Sequence, residues 1–556
     1  MAITKERRSL LVSMVIVVFF FNFHHLQVMS CPDPATTNCT DQDRKLLEFP
    51  LNLEYLEAEF FLFGALGFGL DKVAPNLTMG GPSPIGAQKA NLDPLTRDII
   101  LQFAWQEVGH LRAIKKTVKG FARPQLDLSK KAFAKVMDKA FGVKFVPPFN
   151  PYANSYNYLI ASYLVPYVGL TGYVGANPKL QCPASRKLVA GLLGVESGQD
   201  AVIRGMLYAR AAHIVYPYGV TVAAFTDKIS DLRNKLGKAG VKDEGLVVPK
   251  FMGAEGQVIG NVLVGNEFSL SFDRTPEEIL RIVYGSGNES VPGGFYPKGA
   301  DGEIAKSYLV TVGRFGLDRV APNLTMGGPS PLGAQKAKLD RLTTDVILQF
   351  AWQEVGHLRA IKKRVKGFAR PQLDLSKEAF AKVMDKAFGK KFVPPFNPYA
   401  NSYNYLIASY LVPYVGLTGY VGANPKLQCP ASRKLVAGLL GVESGQDAVI
   451  RTMLYARASR IVHPYNVTVA AFTNKISELR NKLGKAGLKD EGLLVPIAKG
   501  AEGKVLGNVL AGDESSLAFD RTPEEILRIV YGSGNERVPG GFYPKGANGE
   551  IAKSYY

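Results

Sequence analysis

Glu107-Val-Gly-His110 places a carboxylate and an imidazole one helical turn apart. That spacing lets both side chains reach one metal ion. Ile100, Phe103, Glu107, His110 and Ile114 step by three and four, so the two polar residues share the stripe that must face a core. A carboxylate buried there is strongly unfavourable unless a cation, a guanidinium or a proton relieves it. The same geometry recurs in Leu192, Glu196, Gln199, Ile203 and Met206, and in Leu47, Leu51, Glu54, Ala58 and Phe61. Glu57 falls on a neighbouring face of that last segment, and Glu59 points away. A lone Glu-x-x-His arises readily by chance, and a core histidine can be satisfied by one of the chain's 25 tyrosines. The signal is three helices that each carry an inward carboxylate. No Gly-x-Ser-x-Gly, Cys-x-x-Cys or phosphate-loop pattern is present, so hydrolase and nucleotide chemistry are disfavoured.

The elements that must position these residues read as helices. Residues 43–63 are apolar nearly all round, and 94–119 carry helical spacing. Residues 153–174 are rich in tyrosine and interrupted by Pro166, 184–212 form a long helix, and 221–236 a shorter fifth. Thr275-Pro-Glu-Glu278 opens a short helix with a capping box and a proline at its first position. Residues 285–302 read as loop, and strand signals are confined to pieces such as Leu246-Val-Val248. The expectation is an all-α bundle with a long irregular C-terminal extension.

The chain says this nearly twice. Residues 68–309 return at 315–556 with an offset of 247, and about 30 of roughly 240 aligned positions differ. A period this long makes each repeat a domain with its own core, giving units 31–309 and 310–556. The second unit has no counterpart of 43–63, and its equivalent site residues are Glu354, His357, Glu443 and Gln446. A bundle short of one helix leaves an apolar groove open to association. The near identity points to a recent tandem duplication or to the joining of two neighbouring genes.

Residues 1–30 read as a secretory signal: Lys5, Arg7 and Arg8 precede an apolar run at 10–23, and small residues follow. An uncleaved signal anchor is the alternative; after cleavage no stable membrane span is expected. Asn38, Asn76, Asn288, Asn323 and Asn466 stand in glycosylation triplets. Cys31 and Cys39 are placed to close a small loop, while Cys182 and Cys429, equivalent in the two units, are open to cross-pairing or to remaining free. The net charge of +19 is dispersed. In a secreted protein it favours acidic cell-wall polysaccharide as a partner, with no nucleic acid expected.

These residues resemble the ferritin-like superfamily and, more closely, the plant desiccation-related proteins of that type. The resemblance is carried by Leu46–Phe60, Trp105-Gln-Glu-Val-Gly-His110, 166–175 and Leu193-Gly-Val-Glu-Ser-Gly-Gln-Asp-Ala-Val-Ile-Arg204. It implies a ferritin-like four-helix bundle, repeated twice, the second copy lacking the first helix. It also implies Glu54, Glu107, His110 and Glu196 as ligands of iron or manganese. Two positions depart from the di-iron pattern: the third-helix carboxylate is replaced near Pro166, and Gln199 stands for the second histidine. The implied protein is a secreted desiccation or stress protein without efficient catalysis, its di-iron-type site degraded. The alternatives are a metal-binding protein or weak ferroxidase limiting iron-driven oxidative damage, and a wall-polysaccharide-binding protein.

Overall fold

The computed structural model describes residues 40–307, 329, 331–335, 337–365 and 367–555. The signal segment, Cys31, Cys39, Asn38 and Asn323 lie outside the described residues. Helices of eight residues or more are numbered in chain order. The first copy contains α1 (Asp41–Glu48), α2 (Leu51–Leu66), α3 (Pro94–Thr117), α4 (Lys130–Phe141), α5 (Ser155–Ser162), α6 (Pro166–Ala176), α7 (Pro183–Tyr208), α8 (Val222–Gly237) and α9 (Pro276–Val283). The second contains α10 (Arg341–Arg364), α11 (Lys377–Phe388), α12 (Ser402–Ser409), α13 (Pro413–Ala423), α14 (Pro430–Tyr455), α15 (Val469–Gly484) and α16 (Pro523–Val530).

In the first copy, α2, α3, the pair α5/α6 and α7 form a four-helix bundle. The expected single helix at 43–63 is two helices, because Pro50 cannot donate the backbone hydrogen bond that would continue α1. α2 is buried nearly all round, its three glutamates included. α5 crosses it closely: Tyr158 donates to the Phe60 carbonyl at 2.7 Å, and a Cβ on Gly64 would stand 2.0 Å from the Tyr158 oxygen. The capping box of α9 forms between Thr275 and Glu278. α4, capped by Ser129, carries no signal singled out in the sequence. Strands are confined to two two-residue hairpins among the described residues, Ile214–Val215 with Val220–Thr221 and its repeat. Val247 makes only an isolated bridge, to Gly260.

The second copy repeats this from α10 onward, with no counterpart of α2 among the described residues. The two copies meet mainly along α7 and α14. Ser197 donates to the Gly441 carbonyl and Ser444 to the Gly194 carbonyl, while Gly205 faces Val449 and Gly445 faces Ala201. These pairs advance together along both chains, so the helices run side by side in the same direction about a local two-fold axis. Their glycines and serines permit close backbone approach. The irregular C-terminal extensions cross over this axis. Arg359 pairs with Glu255, and Arg112 with Glu502, each across the copies. Cys182 and Cys429, at the starts of α7 and α14, are both disulfide-bonded, and neither remains free. Asn76, Asn288 and Asn466 are exposed.

Candidate metal centre

The buried stripes converge as their spacing requires. Glu54 from α2, Glu107 and His110 from α3, and Glu196 from α7 each offer a ligand atom, all within 4.8 Å of one another. His110 Nδ1 lies 3.1 Å from Glu54 Oε2, 3.5 Å from Glu107 Oε1 and 3.7 Å from Glu196 Oε1. Tyr173 of α6 donates to Glu54, and Gln199 donates to Glu107 through its amide nitrogen. Gln199 thus supports a ligand through its nitrogen, while its oxygen has no hydrogen-bond partner.

Glu57 belongs with this group. It is fully buried, and its ionisation is opposed by burial and by Glu107 and Glu54. A stripe drawn at one helical angle misses it, and the relevant signal was that α2 is apolar on every side. The third bundle helix presents no carboxylate, and the residue responsible is Gly169, not Pro166. A Cβ at Gly169 would stand 2.6 Å from Glu196 Oε2. Pro166 opens α6 a turn earlier. Glu59 points away from the cluster, as its position requires, yet it is also buried, paired with Arg123.

No N–H or hydroxyl donor reaches either oxygen of Glu57 or Glu196, nor Glu107 Oε2; Glu57 and Glu196 have only each other's carboxyl within hydrogen-bond reach. Burial and the neighbouring carboxylates push Glu57 and Glu196 well above the usual carboxylate range. Burial raises Glu107 to about 7 against the pull of His110. Burial also acts upward on Glu54, but His110, Glu107 and Tyr173 hold it below its ordinary value. For His110, burial favours the neutral ring, and Glu107 and Glu54 overcome it and raise the imidazole. Glu57, Glu107 and Glu196 are therefore pushed toward holding protons that a divalent cation would replace, while Glu54 stays ionised beside His110. This donor set, of carboxylates and one imidazole with unpartnered oxygens, fits iron or manganese. A small cavity of about 20 Å³, lined by Leu53, Glu54, Tyr173, Lys179 and Glu196 among others, has room for about one water-sized molecule.

The second copy assembles a poorer set. Glu354, His357 and Glu443 offer ligand atoms within 4.8 Å of one another, and Gln446 donates to Glu354 at 2.8 Å. No first-helix carboxylate joins them among the described residues, and His357 Nδ1 has no hydrogen-bond partner.

A ferritin-like domain model matches residues 42–209 and again 289–456, together more than half of the chain. The chain belongs to the ferritin-like family. It is 61% identical over 279 residues to the ferritin-like catalase Nec2 of Nesocodon mauritianus, an alignment covering 50% of this chain and 90% of the relative. It is 63% identical over 261 residues to the desiccation-related protein PCC13-62 of Craterostigma plantagineum, covering 47% and 83%. Each relative is thus matched by about one copy of a ferritin-like chain that carries two. No solved structure matches.

Proposed function

We propose that this ferritin-like, desiccation-related protein binds iron or manganese in its first copy and uses it to dispose of peroxide, limiting oxidative damage during drying. One observation carries the reading: Glu57, Glu107 and Glu196 bury carboxyl oxygens that no N–H or hydroxyl donor satisfies. Such an arrangement is unfavourable in a bundle that serves only as a scaffold and appropriate to one that holds a cation. The resemblance to a relative named a catalase supports the choice of substrate. So does the small volume of the cavity, which suits a very small molecule. The sequence favoured a protein without efficient catalysis; the buried unpartnered carboxylates favour a working centre in the first copy.

Glu54, Glu107, His110 and Glu196 would hold the metal, with Glu57 adjoining, and a bound metal would supply the redox chemistry. Tyr173 orients Glu54, and Gln199 orients Glu107. The apolar walls of α2, α3 and α7 exclude bulk water, and Glu196, which lines the cavity, can hold and return a proton there. The second copy presents no first-helix carboxylate among the described residues and is assigned no turnover. Secretion and adhesion to acidic wall polysaccharide belong to the same proposal, supported by the net charge of +19 and the exposed Asn76, Asn288 and Asn466.

The test is metal content by mass spectrometry on the full chain after loading, with peroxide decay followed in parallel. Bound metal and peroxide loss that both vanish in Glu107→Ala/His110→Ala are expected. A wild-type chain that retains no metal would overturn the reading.

A further inference from the structure

His110 Nε2 lies 3.2 Å from the main-chain carbonyl oxygen of Ser516, a residue 406 positions further along and in the other copy. A carbonyl oxygen only accepts, so Nε2 must carry its hydrogen and Nδ1 is the nitrogen left facing the carboxylates. Resting on the metal-centre reading above, we infer that the loop at 509–518 of the second copy is a positioning element of the first copy's centre. In this reading the second copy serves by completing the site of the first.

The loop is built for this contact. Val509 donates to Gln102 at 2.9 Å, and Gln106 donates to the Leu510 carbonyl at 3.4 Å, tying it to α3 on the turns that precede His110. Gly109 lets it come close, since a Cβ there would stand 2.7 Å from the Ser515 carbonyl oxygen. Ser516 adopts the left-handed conformation, with φ 58°, which L residues seldom take. Asp513 holds that turn. Its Oδ1 accepts from Ser515 N at 2.8 Å and from Leu517 N at 3.1 Å, and its carbonyl accepts from Ser516 N.

The local two-fold supplies an internal control. Ser269 of the first copy presents its carbonyl to His357 Nε2 at 2.9 Å, again with positive φ. There the turn is held by Asn266, whose Oδ1 accepts from Phe268 N and Leu270 N. Asparagine and aspartate thus do the same structural work at equivalent positions of one chain. What differs is the centre each loop faces: among the described residues His110 sits with three glutamates, Glu54, Glu107 and Glu196, and His357 with two, Glu354 and Glu443.

The experiment compares the full chain with Asp513→Ala, Asp513→Asn and Asn266→Ala. Manganese(II) affinity is measured by titration, and the His110 Nε2–H resonance by nitrogen-15 NMR on metal-free protein, assigned with His110→Gln among only six histidines. Asp513→Ala is expected to weaken manganese binding by about 10–100-fold, the range for loss of a group that orients a ligand. Asp513→Asn should restore it. Asn266→Ala, which loosens the equivalent loop against the poorer site, should leave it unchanged. Equal losses in Asp513→Ala and Asn266→Ala would mean general loosening of the interface and would overturn the inference, as would no loss in either. If the wild-type chain binds no manganese, the metal reading fails separately. The inference is then decided by the slowly exchanging Nε2–H signal, expected in wild type and Asp513→Asn and lost in Asp513→Ala; its persistence in Asp513→Ala counts against the loop.

Discussion

Gly169 on α6 and Glu196 on α7 stand so close that a Cβ on the glycine would lie 2.6 Å from Glu196 Oε2. The missing side chain on the third bundle helix is what gives the Glu196 carboxyl its room. In Gly169→Ala the atom displaced is the end of a flexible side chain, so the fold should tolerate the change. Alanine also favours the helix by about 1 kcal/mol over glycine. We expect unchanged or slightly raised thermal stability together with loss of most bound metal. Intact metal content in this variant would show that Glu196 is not a ligand.

Glu57 separates stability from function. Its oxygens meet no N–H or hydroxyl donor and only the neighbouring Glu196 carboxyl, and a poorly satisfied buried polar group costs about 1–3 kcal/mol. Glu57→Met, close in volume and apolar, should stabilise the metal-free protein by about that amount and weaken metal retention. Chemical denaturation of the metal-free chain measures the first effect and competition with a chelator the second. A variant that is less stable when metal-free would mean that Glu57 is satisfied within the protein.

The sequence revealed most of this site and little of what surrounds it. Glu54, Glu107, His110 and Glu196 were legible because helical periodicity maps residue number onto direction, and each fell on an apolar stripe. Glu57 was not, because in a helix buried on all sides the stripe has no edge. Gly169 escaped because a glycine gives periodicity nothing to register. Ser516 could not be found at all: its contribution is a carbonyl, made by every residue, delivered across 406 positions by a loop without repeating pattern. The parallel contact of α7 and α14 was likewise hidden, since both helices are apolar enough to serve one core or two.

Metal uptake should be coupled to proton release. Glu57 and Glu196 titrate well above the ordinary range and Glu107 at about 7, so near neutral pH the metal-free site holds protons that a cation must displace. Affinity should therefore fall as pH drops from 8 to 6. Titration calorimetry in two buffers of different ionisation enthalpy should show protons released on binding. The metal-free protein should respond in the opposite sense. Glu57, Glu107 and Glu196 bind protons more tightly when folded than unfolded, and so does the raised His110, while Glu54 alone is lowered and opposes them. Their contribution is thus greatest at low pH and is lost as pH rises through the folded values. Pairing metal-free with loaded protein across pH 5–8 should give divergent melting curves. Parallel curves would remove these groups from the site.

Arg123 tests what α2 adds beyond ligands. Its guanidinium is fully buried against Glu59 of α2, and its other arm holds Asp71 at 2.8 Å. Removing one member of a buried pair strands the other, at about 3–5 kcal/mol. The equivalent Arg370 is only partly buried, and among its interactions it donates to the Pro329 carbonyl at 2.8 Å. Arg123→Ala should therefore lower stability by about 3–5 kcal/mol and Arg370→Ala by clearly less. Calorimetry of the two variants makes the comparison within one nearly duplicated sequence. Equal losses would mean that the burial of the guanidinium does not set the cost.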